Sequence, residues 1–131
     1  MIFRPSPRIT SSTPARQVSQ SPATRSRKLV FVARDILSEQ GYVAICNSRA
    51  WPPVDIVAWK KGEGVLLILV RRTRSPGANA ADVARRLASD IGLLRSMEKP
   101  DHSRIMLWLF HYSSGWKKYE VFAGGIMDTE G

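Results

Sequence analysis

The sequence predicts an α/β fold, a mixed sheet of about five strands flanked by helices. Two observations predict it. The spacing of apolar residues changes along the chain, from threes and fours to strict alternation and back again, which marks helices interleaved with strands. In addition, the run Val65 to Val70 (VLLILV) is apolar at every position, the pattern of a central strand covered on both faces.

Each element follows from its residues. Residues 1 to 23 hold four of the eight prolines, many Ser and Thr, and no usable period. Such a segment buries too little apolar surface to offset its ordering entropy and is expected to be a disordered basic tail. From Thr24 to about Gln40, Leu29, Val32, Ala33, Ile36 and Leu37 fall on one helical face, and Gly41 supplies the stop. Tyr42 to Cys46 alternates as a short strand. Pro52 and Pro53 exclude a central strand there, so a second strand runs from Val54 to Lys60. The turn Lys61 to Gly64 folds it back into a third strand, Gly64 to Arg72. There Val65, Leu67, Leu69 and Arg71 share one face, and Leu66, Ile68, Val70 and Arg72 share the other. After Ser75-Pro76-Gly77, Asn79 is placed to cap a helix reaching Met97, with Val83, Leu87, Ile91 and Leu94 inward. Ile105 to Tyr112 and Trp116 to Ala123 complete the strands. Residues 124 to 131 show no pattern and are read as a C-terminal tail.

Composition narrows the function classes. A chain of 131 residues with 44% hydrophobic and 24% charged residues is expected to form one domain, here residues 24 to 123. No apolar run reaches membrane-spanning length, so no membrane helix is expected. Cys46 stands alone, which excludes an internal disulfide and a multi-cysteine metal site and fits a cytoplasmic location. The net charge is +9, and residues 1 to 28 supply six Lys/Arg with no acid, leaving 14 basic against 11 acidic residues beyond. A basic excess so placed favours a polyanion, because neutralised phosphates release counterions.

Three stretches carry a resemblance. SRKLVFVARDILSEQGYVAI, then PVDIVAWKKGEGVLLILVRRT, then IMLWLFHYSSGWKKYEVF together resemble the archaeal Holliday junction resolvases of the PD-(D/E)xK, or restriction-endonuclease-like, nuclease superfamily. The resemblance covers residues 24 to about 123. It implies a restriction-endonuclease-like sheet and nucleic acid as partner, branched or duplex DNA above all, with a homodimer or heterodimer contact suggested by IMLWLF. In that family an Asp of the second strand and a Glu of the third hold a divalent cation. A Lys two residues beyond the Glu activates water, and a Glu of the first helix assists. Here Asp55 matches the first acid, but Leu69 stands at the Glu position, Arg71 at the Lys position and Val30 at the helix Glu. Leucine ligates no metal, and an arginine stays protonated and cannot act as a base. Asp35 lies ~140° round the helix from Val30 and does not replace the lost acid.

The reading is therefore a catalytically degenerate, non-cleaving relative that binds nucleic acid, with Asp55 vestigial and no metal or cofactor expected. Arg27 and Arg34, flanking Val30 on its helix face, are expected to join Arg71, Arg72 and Arg74 in one cationic groove. Two alternatives stand beside it: a Mg²⁺-dependent structure-selective endonuclease with a rearranged site at Asp55, and a non-catalytic scaffold that binds a protein. Trp51 and Trp116 are candidates for base stacking, while Trp59 and Trp108 read as core or dimer surface. Arg85-Arg86 and Lys117-Lys118 read as solvated faces, with contact to phosphates as the alternative, and His102 and His111 lack a partner motif.

Overall fold

The computed structural model describes residues 22–74 and 79–129, with side chains from Lys28 onward. Of the tail expected at 1–23, residues 1–21 lie outside the described residues and Pro22 and Ala23 open the first helix. Helix α1 spans Pro22–Glu39, two residues earlier than its periodicity predicts. Proline is tolerated in a first helical turn, where its missing N–H has no partner to lose. Leu29, Val30, Ala33 and Leu37 are the buried positions of α1, whereas Val32, expected inward, is 47% exposed. Gly41 adopts φ +95°. That left-handed residue turns the chain so that the Tyr42 N–H donates to the Leu37 carbonyl at 3.0 Å, closing the helix end.

Strands β1 (Val43–Cys46), β2 (Ile56–Lys60) and β3 (Gly64–Arg72) form an antiparallel meander. Its β2–β3 turn packs against the start of the next strand: Gly64 has φ +75°, and a Cβ there would run into the His102 carbonyl oxygen. That carbonyl accepts instead from the Val65 N–H at 3.0 Å. Strand β4 (Ser103–His111) lies parallel to β3, which requires a crossover. The crossover is two helices rather than the one expected. Asn79 caps α2 (Ala80–Arg86) by accepting from the Asp82 N–H at 2.8 Å, and Leu87, at φ −108° and ψ 29°, separates it from α3 (Ala88–Ser96). The bend lets Val83 on one arm and Ile91 and Leu94 on the other reach the same core.

Strand β5 (Gly115–Phe122) returns antiparallel to β4, and β6 (Gly125–Asp128) returns on β5. The protein is thus a mixed α/β fold whose sheet has six strands in the order β1-β2-β3-β4-β5-β6, flanked by three helices. The sixth strand falls in the segment read as a patternless tail. Four residues are too few for alternation to be legible, and it is the pairing with β5 that makes GIMD a strand.

The sheet carries a core on each face. Leu66, Ile68, Val70, Met106 and Trp108 pack under α1, whereas Leu67, Leu69, Leu107 and Leu109 pack under α2 and α3. This is the alternation read from β3, now with a helix layer on each side. Of the stretch IMLWLF, suggested above as a dimer contact, Ile105 to Leu109 are at most 6% exposed and belong to the cores, while Phe110 is half-buried. Trp108 is core as expected, while Trp59 is 39% exposed beside Val43, its cross-strand partner on β1. No helix among the described residues is long and apolar enough to cross a membrane.

Candidate functional site

Asp55 precedes β2 directly and is held by main-chain bonds on both sides. Its N–H donates to the Ile68 carbonyl at 2.8 Å, and its carbonyl accepts from the Asn47 N–H at 2.7 Å. The Asn47 side-chain amide donates to the carbonyls of Pro52 and Val54, each at 3.0 Å, which pins the loop leading to Asp55. The carboxylate then takes over from the strand: Oδ2 accepts from the Val70 N–H at 2.8 Å, continuing the ladder past the last regular β2–β3 pair.

The period of β3 sends Arg71 to the α3 side of the sheet, where it meets two acids. Arg71 Nη1 lies 3.4 Å from Asp55 Oδ2, and Nε lies 3.3 Å from Asp90 Oδ2 on α3. Nη1 also donates to the Val70 carbonyl at 2.9 Å. One guanidinium therefore bridges two half-buried carboxylates, an arrangement suited to its planar fork of donors. Burial pushes the Asp55 carboxyl above the usual carboxylate range, and nearby Asp90 pushes the same way. Together these outweigh the Val70 N–H and the Arg71 charge, which act in the opposite sense.

These groups sit in an open cleft of about 210 Å³ lined by Arg49, Pro52, Asp55, Leu69, Arg71 and Asp90 among others. A hard divalent cation takes several oxygen ligands, of which the protein often supplies only one or two carboxylates. The cleft offers two carboxylates, both engaged by Arg71. Leu69, at 3% exposure, lines the cleft beside them. Among the described residues no group of three or more His, Cys, Asp or Glu side chains converges as a metal site.

A second hollow of about 260 Å³ opens at the C-terminal end of β3. Arg72, Thr73, Arg74 and Arg86 line it, with an apolar floor of Val83, Leu87 and Leu109. The three arginines are exposed, none makes an ion pair among the described residues, and no acid lines the groove. Arg72 also stacks its guanidinium over the Phe110 ring, 5.8 Å from the centroid.

The structure thus divides the residues expected to share one groove. Arg71 is in the acidic cleft, and Arg72 and Arg74 are at the neighbouring groove. Arg34 is on α1, on the other side of the sheet from the Arg71 cleft, with its guanidinium 3.3 Å from Asp35 and over the Phe31 ring. Arg27 lies on the same helix, its side chain outside the described region. Val30, the reference point for both, is 8% exposed and belongs to the core beneath α1.

Two residues escape sequence reasoning. Asp90 is one acid among several on an amphipathic helix, and nothing local says that α3 crosses over Arg71. Arg86 reads with Arg85 as solvated surface or phosphate contact, with nothing to tell the two apart, and the structure separates the pair. Arg85 does bond Asp82 at 2.6 Å, but Arg86 lines the groove. A helical wheel sets the two about 100° apart, which hints at different neighbours without naming them.

No protein-family profile matches the chain, and no curated protein sequence does. Among solved structures it is similar to Hjc of Archaeoglobus fulgidus, a Holliday junction resolvase from an archaeal hyperthermophile, with 18% sequence identity and a TM-score of 0.45 over 79% of this chain and 86% of that one.

Proposed function

We propose that this chain binds nucleic acid, DNA in particular, through the phosphate backbone, as a non-cleaving relative of the junction resolvases. The observation that carries the reading is the groove lined by Arg72, Arg74 and Arg86, three arginines with no acidic residue among the groove's lining. These exposed charges are open to phosphate oxygens, which arginine grips with paired donors. The six basic residues among the first 28 add to the same field. Arg27 and Arg34 of α1 are peripheral contacts in this reading, because Arg34 already has Asp35 as a partner.

The Asp55–Arg71–Asp90 cluster serves as a structural brace. Its guanidinium supplies the positive charge between the two carboxylates, so their mutual repulsion is relieved without a metal. The alternative reading, cleavage supported by Mg²⁺, draws on the fact that both carboxylates open onto one cleft. The Arg71 guanidinium, paired with both carboxylates, argues against it.

Binding of a fluorescent four-way junction and of a plain duplex, measured by anisotropy across about 50 to 200 mM salt, tests the proposal. The expected result is affinity that falls steeply with salt and depends little on sequence. Absence of binding to both ligands at the low-salt end overturns the reading. Mg²⁺-dependent cleavage of the junction that Asp55→Ala abolishes establishes the alternative.

A further inference from the structure

Helix α1 packs chiefly over β1, β2 and β3, and the same face of the sheet continues across β4 and β5, where Trp108 belongs to the core under α1 and Phe110 and Trp116 pack against that core, partly buried. There the strand register sets two cross-strand rows side by side: Arg72, Phe110 and Trp116 in one, Val70, Trp108 and Lys118 in the next. The rings form one cluster. Trp108 and Trp116 meet edge to face at 5.6 Å, and Phe110 lies 5.2 Å from Trp116 at a tilt of 60°. Each outer side carries a cation on a ring, Arg72 over Phe110 and Lys118 over Trp108 at 4.4 Å. The one acid on the adjacent row of β5, Glu120, is taken up by Arg104 at 2.8 Å.

Burial separates the roles of the three rings. Trp108, at 3% exposure, is a fixed foundation, while Phe110 and Trp116 are half-buried and Arg72 is exposed. A strand of nucleic acid takes up both a flat apolar surface for a base and a positive charge for the next phosphate, and this face offers the two side by side. Arg72 belongs to this face and to the groove of Arg74 and Arg86, so a polyanion held in the groove is led over the strand end toward Trp116.

We infer that the Phe110–Trp116 face is a stacking site for one unpaired base of a nucleic-acid strand, with Arg72 and Lys118 on its flanking phosphates. The inference rests on the nucleic-acid reading above and specifies what that reading leaves open. Paired bases keep their faces inside the helix, so a duplex can use the arginine groove but not the aromatic face. The rings are tilted relative to one another and cannot receive a continuous stack, which limits the site to one splayed base. The ligand is therefore a single-stranded segment, alone or at a discontinuity in a duplex.

The test compares a short oligothymidylate carrying one central 2-aminopurine with a blunt hairpin duplex of similar charge, on the full chain. Wild type is expected to bind both and to quench the 2-aminopurine on binding, as stacking does. Trp116→Leu, which keeps an apolar side chain over Trp108, is expected to weaken the single strand roughly tenfold or more and to leave the hairpin within about twofold. Equal loss on both ligands, no loss on either, or binding of the single strand without quenching overturns the stacking site while the phosphate-binding reading stands. Failure of the wild type to bind either ligand overturns both. The wild-type quenching experiment decides the matter by itself where circular dichroism shows the Trp116→Leu chain unfolded.

Discussion

The carboxylate of Asp55 accepts the main-chain N–H of Val70 at 2.8 Å, so a side chain from the loop before β2 completes the hydrogen bonding of β3. Val70 is fully buried, and its amide has no water to turn to. The residue that the nuclease pattern marks as a catalytic acid is thus tied into the sheet.

Asp55→Ala leaves that buried amide without an acceptor and Arg71 without one of its two carboxylates. The expected loss is about 1–3 kcal/mol of folding stability, the usual cost of an orphaned buried donor. Asp55→Asn keeps a carbonyl oxygen for the Val70 N–H and is expected to lose less. Urea unfolding of the three proteins checks the order wild type, Asn, Ala.

Burial raises the Asp55 carboxyl in the folded chain, and the sign of the pH effect follows. Between its unfolded and folded titration points the native state binds more protons than the unfolded state. The contribution of Asp55 to stability is therefore fully present below the unfolded value and is lost as pH rises through the folded one. Wild type is expected to lose stability relative to Asp55→Asn on raising the pH through that window, which starts at the ordinary aspartate value. Paired urea titrations at several pH values measure the difference and cancel the other carboxylates. A difference that runs the other way shows that the Arg71 and Val70 contacts dominate over burial.

Arg72→Ala, Arg74→Ala and Arg86→Ala are each expected to weaken duplex binding. Each is also expected to make the plot of log affinity against log salt shallower, by up to about 1 for every phosphate no longer neutralised. Arg34→Ala, whose guanidinium pairs with Asp35, is expected to change the slope by much less. Anisotropy titrations at three or more salt concentrations distinguish the two groups of variants.

Gly64 and Gly62 form a matched pair in the same turn. Both have positive φ, but a Cβ at Gly62 meets nothing within 4 Å, whereas one at Gly64 meets the His102 carbonyl. Alanine at Gly62 is expected to cost about 1–2 kcal/mol, the penalty of a left-handed alanine. Alanine at Gly64 is expected to cost more, because strands β3 and β4 must also part. Thermal or urea melts of the two variants check the ranking.

The sequence by itself determined the layered architecture. VLLILV is apolar on both faces of β3, the α1 and crossover-helix periods place a helix before and after it, and KGEG closes the hairpin. Those features are local, set by propensity, period and turn chemistry within a few residues, and they are legible without neighbours. It also supplied Asp55, Arg71, Arg72 and Arg74 as the residues to watch. What it could not supply was company. Arg71 finds Asp90 across 19 positions of chain, Arg86 joins Arg72 and Arg74 at one groove, and Arg34 is separated from Arg71 by the sheet itself. Only tertiary structure decides such meetings, because a charged side chain pairs with whatever the packed cores bring within a few ångströms. That is fixed by how α1 and α3 dock on opposite faces, not by any spacing along the chain. The short β6 teaches the same: its four residues carry no period of their own, and the edge of β5 makes them a strand.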